Sequence, residues 1–339
     1  MLDLVNKTPF AVAMLPSLDK DGAEYLVVVA KATFAVRRDG ATRVADEQVP
    51  VALADVPYGD PITSSLRYAS DGALRKPGVD VVLAGSAFGP TSGVSQLDVE
   101  LRVGPARKTV RVFGPRVWSR AADRSFRPSR AGRILGAALR WENALGGADT
   151  SDADPARHAF AETNPVGRGF VAAGSTLDLE GQLVPELEDP SAPIRTAGEG
   201  VAPAGFGFVA PSWAPRRFWA GTYDDAWREE RAPLLPLDFD DRHFAAASAG
   251  LTLAGLSGGE PISASHVRPG GGSFESSVPR RAMEVVVTAG AASTTTRARL
   301  DTLVIETELD RLVLTFRATV PLRRKLLDID RVKVREVAT

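Results

Sequence analysis

Some residues are spaced as known chemistries require. Gly255-Leu256-Ser257-Gly258-Gly259 fits G-x-S-x-G, the pattern of a nucleophilic serine lifted on a sharp turn between a strand and a helix. Pro261 stands four residues after that serine in a Gly/Ser-rich loop, so a plain turn is expected instead. Gly205-Phe206-Gly207 with Ala210, and Gly167-Arg168-Gly169 with Ala172, resemble the glycine fingerprint that lets a backbone approach a pyrophosphate. That fingerprint must open a helix. Pro211 directly follows the first, and the second emerges from Asn164-Pro165 into small residues, so neither is expected to cradle phosphate. His158, His243 and His266 are too scattered to form a metal cluster by spacing, and the chain has no cysteine, which removes thiolate metal sites, cysteine nucleophiles and disulfides.

The densest group of titratable and aromatic residues is Gly221–Phe244, GTYDDAWREERAPLLPLDFDDRHF. Thr222 is placed to cap a helix with Asp225 at its third position, Asp224 supports Arg228 four residues on, and Pro233 ends the turn. Asp238, Asp240 and Asp241 cluster about a second cap. As a metal site the acids match no calcium-loop spacing. As catalysts they would need a carboxylate partner from elsewhere, such as Glu142 with Asp238. The third use of the stretch is as a docking surface.

The elements that would position these residues are mostly strands. Tyr25–Val36 is a β-branched run suited to burial on both faces, closed by the Asp39-Gly40 turn. Asp80–Ala87 resumes as a strand after an irregular excursion rich in proline and glycine. Gln96–Val103 alternates apolar and charged residues, and with Thr109–Phe113 it makes a hairpin around Gly104-Pro105. Met283–Ala289, Arg299–Glu306 and Arg311–Ala318 return to strands, and Arg331–Arg335 is expected as an edge strand guarded by its basic residues. From about Arg116 to Arg217 the chain lacks long periodic segments. The expected fold is mainly β, with antiparallel sandwich-like sheets, long irregular crossovers and a few short helices. Three regions follow: a β-rich unit over 1–120, an irregular middle over 121–245 and a β-rich unit over 246–339, which could also run as one continuous domain.

A length of 339 residues with formal charge −1 gives no global electrostatic bias. Arg116, Arg120, Arg124, Arg127, Arg130 and Arg133 form an arginine-rich stretch without an aromatic RNA-binding signature, so no nucleic-acid partner is expected. The first residues lack a basic start followed by an unbroken apolar segment, and no run reaches eighteen apolar residues. Neither a signal peptide nor a membrane span is expected, and the missing cysteines fit a cytoplasmic protein.

A series of motifs, in order, resembles a domain-of-unknown-function family encoded beside VgrG spike and PAAR-repeat effector genes in bacterial type VI secretion clusters. The motifs are Asn6 with Thr8-Pro9-Phe10, VVVAKATF, DPITSSLRYASD, KPGVDVVLAGSAFGP, FGPRVW, RWENALGG, NPVGRGF, PAGFGFVAPSWAPR, the Gly221–Phe244 stretch, LSGGE and LDTLVIETELDRLVLTFRA. Together they span most of the chain. Two departures stand out: AAASAGLT follows Phe244 where the family has an Ala-Pro and Gln-bearing segment, and Phe316 occupies a tryptophan position.

The resemblance implies a non-enzymatic, cytoplasmic adaptor or chaperone, without cofactor or metal, that binds a toxic effector and aids its loading onto the VgrG/PAAR spike. It carries over no catalytic residues. For partner binding, the expected residues are Trp118, Trp141, Asn164, Arg168, Trp213, Trp219 and Trp227, with Asp238 and Asp240, because aromatic and arginine side chains dominate desolvated interfaces. Trp141 and Trp227 suit core anchors better, and Asn164 before Pro165 suits a turn better than a ligand. The alternatives are a β-sandwich hydrolase acting on glycans or peptidoglycan, and a toxin-neutralising or structural partner.

Overall fold

The structure is a computed structural model and describes residues 3–322 and 326–338. Its principal strands are β1 (Asp3–Lys7), β2 (Ala11–Leu18), β3 (Glu24–Val36), β4 (Val79–Ala84), β5 (Gln96–Val103), β6 (Ala106–Phe113) and β7 (Leu187–Glu188). They continue with β8 (Pro261–Arg268), β9 (Gly272–Ser277), β10 (Ala282–Ala289), β11 (Ala292–Glu306), β12 (Arg311–Pro321) and β13 (Arg331–Val337). One α-helix, α1 (Asp225–Glu230), lies among the described residues. The fold is mainly β, as the sequence predicts. No helix among the described residues is long and apolar enough to cross a membrane.

A ten-stranded sheet runs β1-β13-β10-β11-β12-β3-β2, and β4 joins it parallel to the second half of β11. A five-stranded sheet runs β7-β6-β5-β8-β9. Inward side chains of both sheets, including Val28, Ala30, Leu312 and Leu314 from the first and Val99, Leu101, Val110 and Phe274 from the second, belong to one buried cluster. Strands from the first and last thirds of the chain therefore share a sheet and a core.

β3 is buried on both faces because both are covered. Leu26, Val28, Ala30, Ala32 and Phe34 face the main core, while Val27 and Val29 pack with Leu74. β5 alternates because only one of its faces is buried.

Three strand expectations are corrected. β13 is no edge: β1 pairs with it in parallel on one side and β10 in antiparallel on the other, and Val332 and Val334 are fully buried. β11 begins seven residues before Arg299, at Ala292. Its opening ASTT is exposed and carries no apolar alternation, and the Gly290-Ala291 turn sets its pairing with β10. Asp80–Ala87 breaks at Gly85, where φ is +157° and a Cβ would stand 2.1 Å from Thr307 Oγ1.

Candidate functional site

The RWENALGG and NPVGRGF motifs build one brace. Trp141 opens a 3-10 turn, is 5% exposed, donates from Nε1 to the Phe208 carbonyl at 2.8 Å and meets the Trp213 ring edge-on at 6.3 Å. Gly205 and Gly207 lie against its ring, where a Cβ on either would stand 3.0 Å away. Asn164 is fully buried and donates to the Trp141 and Leu145 carbonyls at 2.8 and 2.9 Å. Arg168 donates from Nε to the Glu142 carbonyl at 3.0 Å and from Nη2 to Asn143 Oδ1. The structure thus brings Trp141, Asn164, Arg168 and Trp213 together as internal packing. The glycines that resemble a dinucleotide fingerprint serve this brace by admitting an indole and an amide.

Trp118 lies beside the brace, fully buried with Leu179, Val184 and Ile194. Next to this cluster is a groove of about 270 Å³ whose lining includes Leu145, Phe160, Gly169, Val171, Ile194 and Val201. Gly169 lies against the indole: a Cβ there would meet the Pro185 ring at 3.0 Å and Trp118 Cζ2 at 3.5 Å, and its φ of +81° also favours glycine. Trp118 Nε1 has no hydrogen-bond partner among the described residues. Phe160, 57% exposed, stands at the rim. Small-molecule sites run from about 300 to 1,000 Å³. This groove is smaller and apolar, a size suited to one or two side chains of an extended polypeptide.

The Gly221–Phe244 stretch forms a separate surface beside a cavity of about 450 Å³ lined by Asp19, Arg75, Leu237, Asp238, Asp240 and Phe244 among others. The helix cap there is Asp224, whose side chain accepts from Trp227 N at 2.8 Å, and not Thr222. Thr222 instead donates both its N–H and its hydroxyl to Asp238. Arg228 pairs with Asp225 rather than with Asp224. Asp240 caps the 3-10 turn Asp241–Phe244, which bears out the second cap. Trp219 is half-buried under Arg242, and Trp227 is half-buried with Nε1 on the Leu234 carbonyl.

Carboxylate chemistry finds little to work with at that cavity. The Thr222 amide and hydroxyl hold Asp238 below the usual carboxylate range, and the Arg242 guanidinium and amide do the same for Asp240. Burial pushes Asp19 up, but the Ala23 and Asp21 amides and the Tyr25 hydroxyl outweigh it. A glycosidase acid needs its pKa raised. These three acids are held ionised as caps and turn acceptors. Glu142, weighed as a partner for Asp238, instead accepts from the Ser65 amide and hydroxyl at 2.9 and 2.7 Å.

The serine and histidine candidates also resolve as local structure. Ser257 is exposed, its amide is held by Glu260, and strand β8 follows it where a nucleophile elbow needs a helix. His158, His243 and His266 bond separately to the carbonyls of Asp152, Arg216 and Asp98. No group of three metal-ligating side chains occurs among the described residues.

Sequence reasoning missed a buried polar layer on the outer face of the large sheet. Lys31, 2% exposed, donates to Asp71 Oδ2 at 2.8 Å, and that oxygen also accepts from Ala52 N at 2.8 Å. Arg317 reaches Asp301 at 2.5 Å and the Asp71 and Ala73 carbonyls at 2.7 Å. Asp80, fully buried, gathers Lys76, Ala246 N and Thr252. These contacts pin the proline-rich excursion between β3 and β4 onto the sheet. A lysine inside VVVAKATF and an arginine inside LVLTFRA were the visible signals, since a charge within a strand buried on both faces requires a partner.

A family model described as an uncharacterized protein conserved in bacteria (DUF2169) matches residues 21–317. No curated protein and no solved structure matches the chain.

Proposed function

We propose, for a chain that belongs to the bacterial DUF2169 family, the role of an adaptor that holds a type VI secretion effector and passes it to the VgrG/PAAR spike. The observation that carries this reading is the apolar groove beside Trp118. Its walls come from the NPVGRGF loop and the 194–203 segment, and its rim offers a bare phenyl ring. An extended effector segment seated there buries apolar side chains against Phe160 and Val171. Gly169 keeps the groove open for that approach, and main-chain groups of the segment remain free to bond the loops on either side. A preorganised groove loses less entropy when an extended segment is seated, and the Trp141–Asn164–Arg168 network beneath braces its walls.

The test is to express the tagged chain in cells carrying an active secretion cluster and to identify PAAR-bearing effectors and VgrG among what co-purifies. The Phe160→Asp variant serves as the control. Phe160 is exposed, so the substitution leaves the fold intact. Loss of a buried phenyl contact costs about 1.5–3 kcal/mol, roughly ten- to a hundredfold in affinity. The wild-type chain is expected to recover the effector and the variant to lose it. Equal recovery by both, or no PAAR-bearing effector or VgrG with the wild-type chain, refutes the reading. Protection of cells from the toxin with no requirement for secretion would move the role to toxin neutralisation.

A further inference from the structure

A cavity of about 1220 Å³ opens where β11 changes partners. Ala298 faces Met283 of β10, Arg299 faces Arg317 of β12, and Thr302 faces Asp80 of β4. A register shift between Leu300 and Thr302 accompanies the change. The cleft is strongly basic: Arg75, Lys76, Arg281, Arg297, Arg299 and Arg317 line it, and Asp301 is the acid among the lining residues.

Counter-ions cover four of these six cations. Arg75 pairs with Asp241 at 2.7 Å, Lys76 with Asp80 at 2.7 Å, Arg281 with Glu336 at 3.4 Å and Arg317 with Asp301 at 2.5 Å. Arg297 and Arg299 are exposed and have no ion pair among the described residues. Glu284, the cross-strand neighbour of Arg297, pairs with Arg335 instead. Arg299 also stands directly opposite Arg317, a like-charge juxtaposition that destabilises a sheet. Arg317 is 5% exposed, and its Nη2 has no hydrogen-bond partner among the described residues. A buried guanidinium with one unmatched arm, beneath two unmatched surface guanidiniums in a concave site, focuses positive potential toward the opening.

We propose that this cleft receives an acidic, carboxylate-bearing segment of a protein partner, which lies along Arg297 and Arg299 with the Arg317 charge beneath it. Identification of that partner as the effector or spike rests on the adaptor reading. Guanidinium forks match carboxylates two bonds at a time, and the volume exceeds that of ordinary small-molecule pockets. Nucleic acid fits less well. Its backbone asks for an extended basic surface, yet the chain's formal charge is −1, and Arg116, Arg120 and Arg127 are already paired with Glu188, Asp178 and Asp123. Phe316, the aromatic residue among those lining the cleft, is buried and unable to stack a base.

Fluorescence anisotropy with a labelled decapeptide of alternating aspartate and glycine tests this on the full chain. The aspartate peptide is expected to bind and to weaken as salt rises from about 50 to about 300 mM, where screening shortens the reach of surface charge. An asparagine–glycine control is expected not to bind. The double variant Arg297→Ala/Arg299→Ala is expected to lose at least tenfold in affinity with a melting temperature that does not fall, because both residues are exposed and the loss of Arg299 relieves its repulsion with Arg317. Equal binding of the asparagine peptide, undiminished binding by the double variant, or no binding of the aspartate peptide overturns the proposal. Displacement of the peptide by inorganic phosphate or oligothymidylate at lower concentration than by unlabelled peptide also overturns it, and assigns the cleft to phosphate ligands. The same double variant separates this inference from the adaptor reading. Effector recovery by the wild type that is unchanged in the variant sinks the cleft alone. Absence of effector with the wild type, while peptide binding still needs Arg297 and Arg299, sinks the adaptor reading alone.

Discussion

Replacing Asp71 with alanine tests the buried polar layer at its centre. Asp71 is 6% exposed; it neutralises Lys31, which is 2% exposed, and accepts the Ala52 amide. Its removal leaves a buried ammonium without a counter-ion, which costs about 3–5 kcal/mol, and a buried amide without an acceptor, which costs about 1–3 kcal/mol. The expected total is about 5 kcal/mol. An unfolding entropy of about 2.1 cal/mol/K per residue gives roughly 0.7 kcal/mol/K for a chain of 339 residues, so the melting temperature should fall by about 7 °C. Calorimetry measures that fall. Hydrogen exchange should show lost protection at Ala52 and Asp71, whose backbone amides bond within the pinned segment. A double-mutant cycle separates pairing from packing: Lys31→Met with Asp71→Leu removes both charges and should cost less than the sum of its parts by at least about 2 kcal/mol. A melting temperature lowered by less than about 1 °C in Asp71→Ala, or additive costs in the cycle, would refute the claim that this pair fastens the excursion to the sheet.

Two further predictions concern the middle of the chain. In Gly167→Ala a Cβ would stand 2.4 Å from Asn164 Nδ2 and 2.6 Å from the Ala144 carbonyl, so the Asn164 bonds must give way. Overpacking and a disrupted buried amide together cost roughly 3–5 kcal/mol, read as a melting temperature lower by about 4–7 °C; an unchanged value would mean the brace is pliable. Asp149 is 4% exposed. Burial pushes its carboxyl up, but the Ser175 and Ser151 hydroxyls and the Ala172 and Ser151 amides outweigh that and hold it down at about 2. The unfolded carboxyl, near 3.9, takes up its proton first, so this group's contribution of about 2 kcal/mol is complete above pH ~4 and is lost as pH falls through ~2. Asp149→Asn should flatten the decline of melting temperature between those values, and a decline as steep as the wild type's would remove Asp149 as its source.

The local strand content was written in the sequence wherever one residue's neighbours decide its environment. The unbroken run from Tyr25 to Val36 announces burial on two faces, and the alternation from Gln96 to Val103 announces burial on one. The second acidic cap was also legible, because an aspartate two residues before a backbone amide acts within a single turn. Capping still misplaced one residue: Thr222 and Asp224 are both competent caps, and only the distant Asp238 shows that Thr222 is already engaged.

What tertiary structure alone decided is how remote segments meet. β13 looked like an edge because the strand that covers it lies more than three hundred residues earlier. The apolar groove needs Phe160, Gly169 and Val201 from separate loops. The basic cleft needs Arg299 to stand opposite Arg317, and the Arg317 guanidinium to find Asp301 alone among carboxylates. Composition counts charges without pairing them. Pairing is set by strand register, and register in this sheet is fixed by contacts between the two ends of the chain.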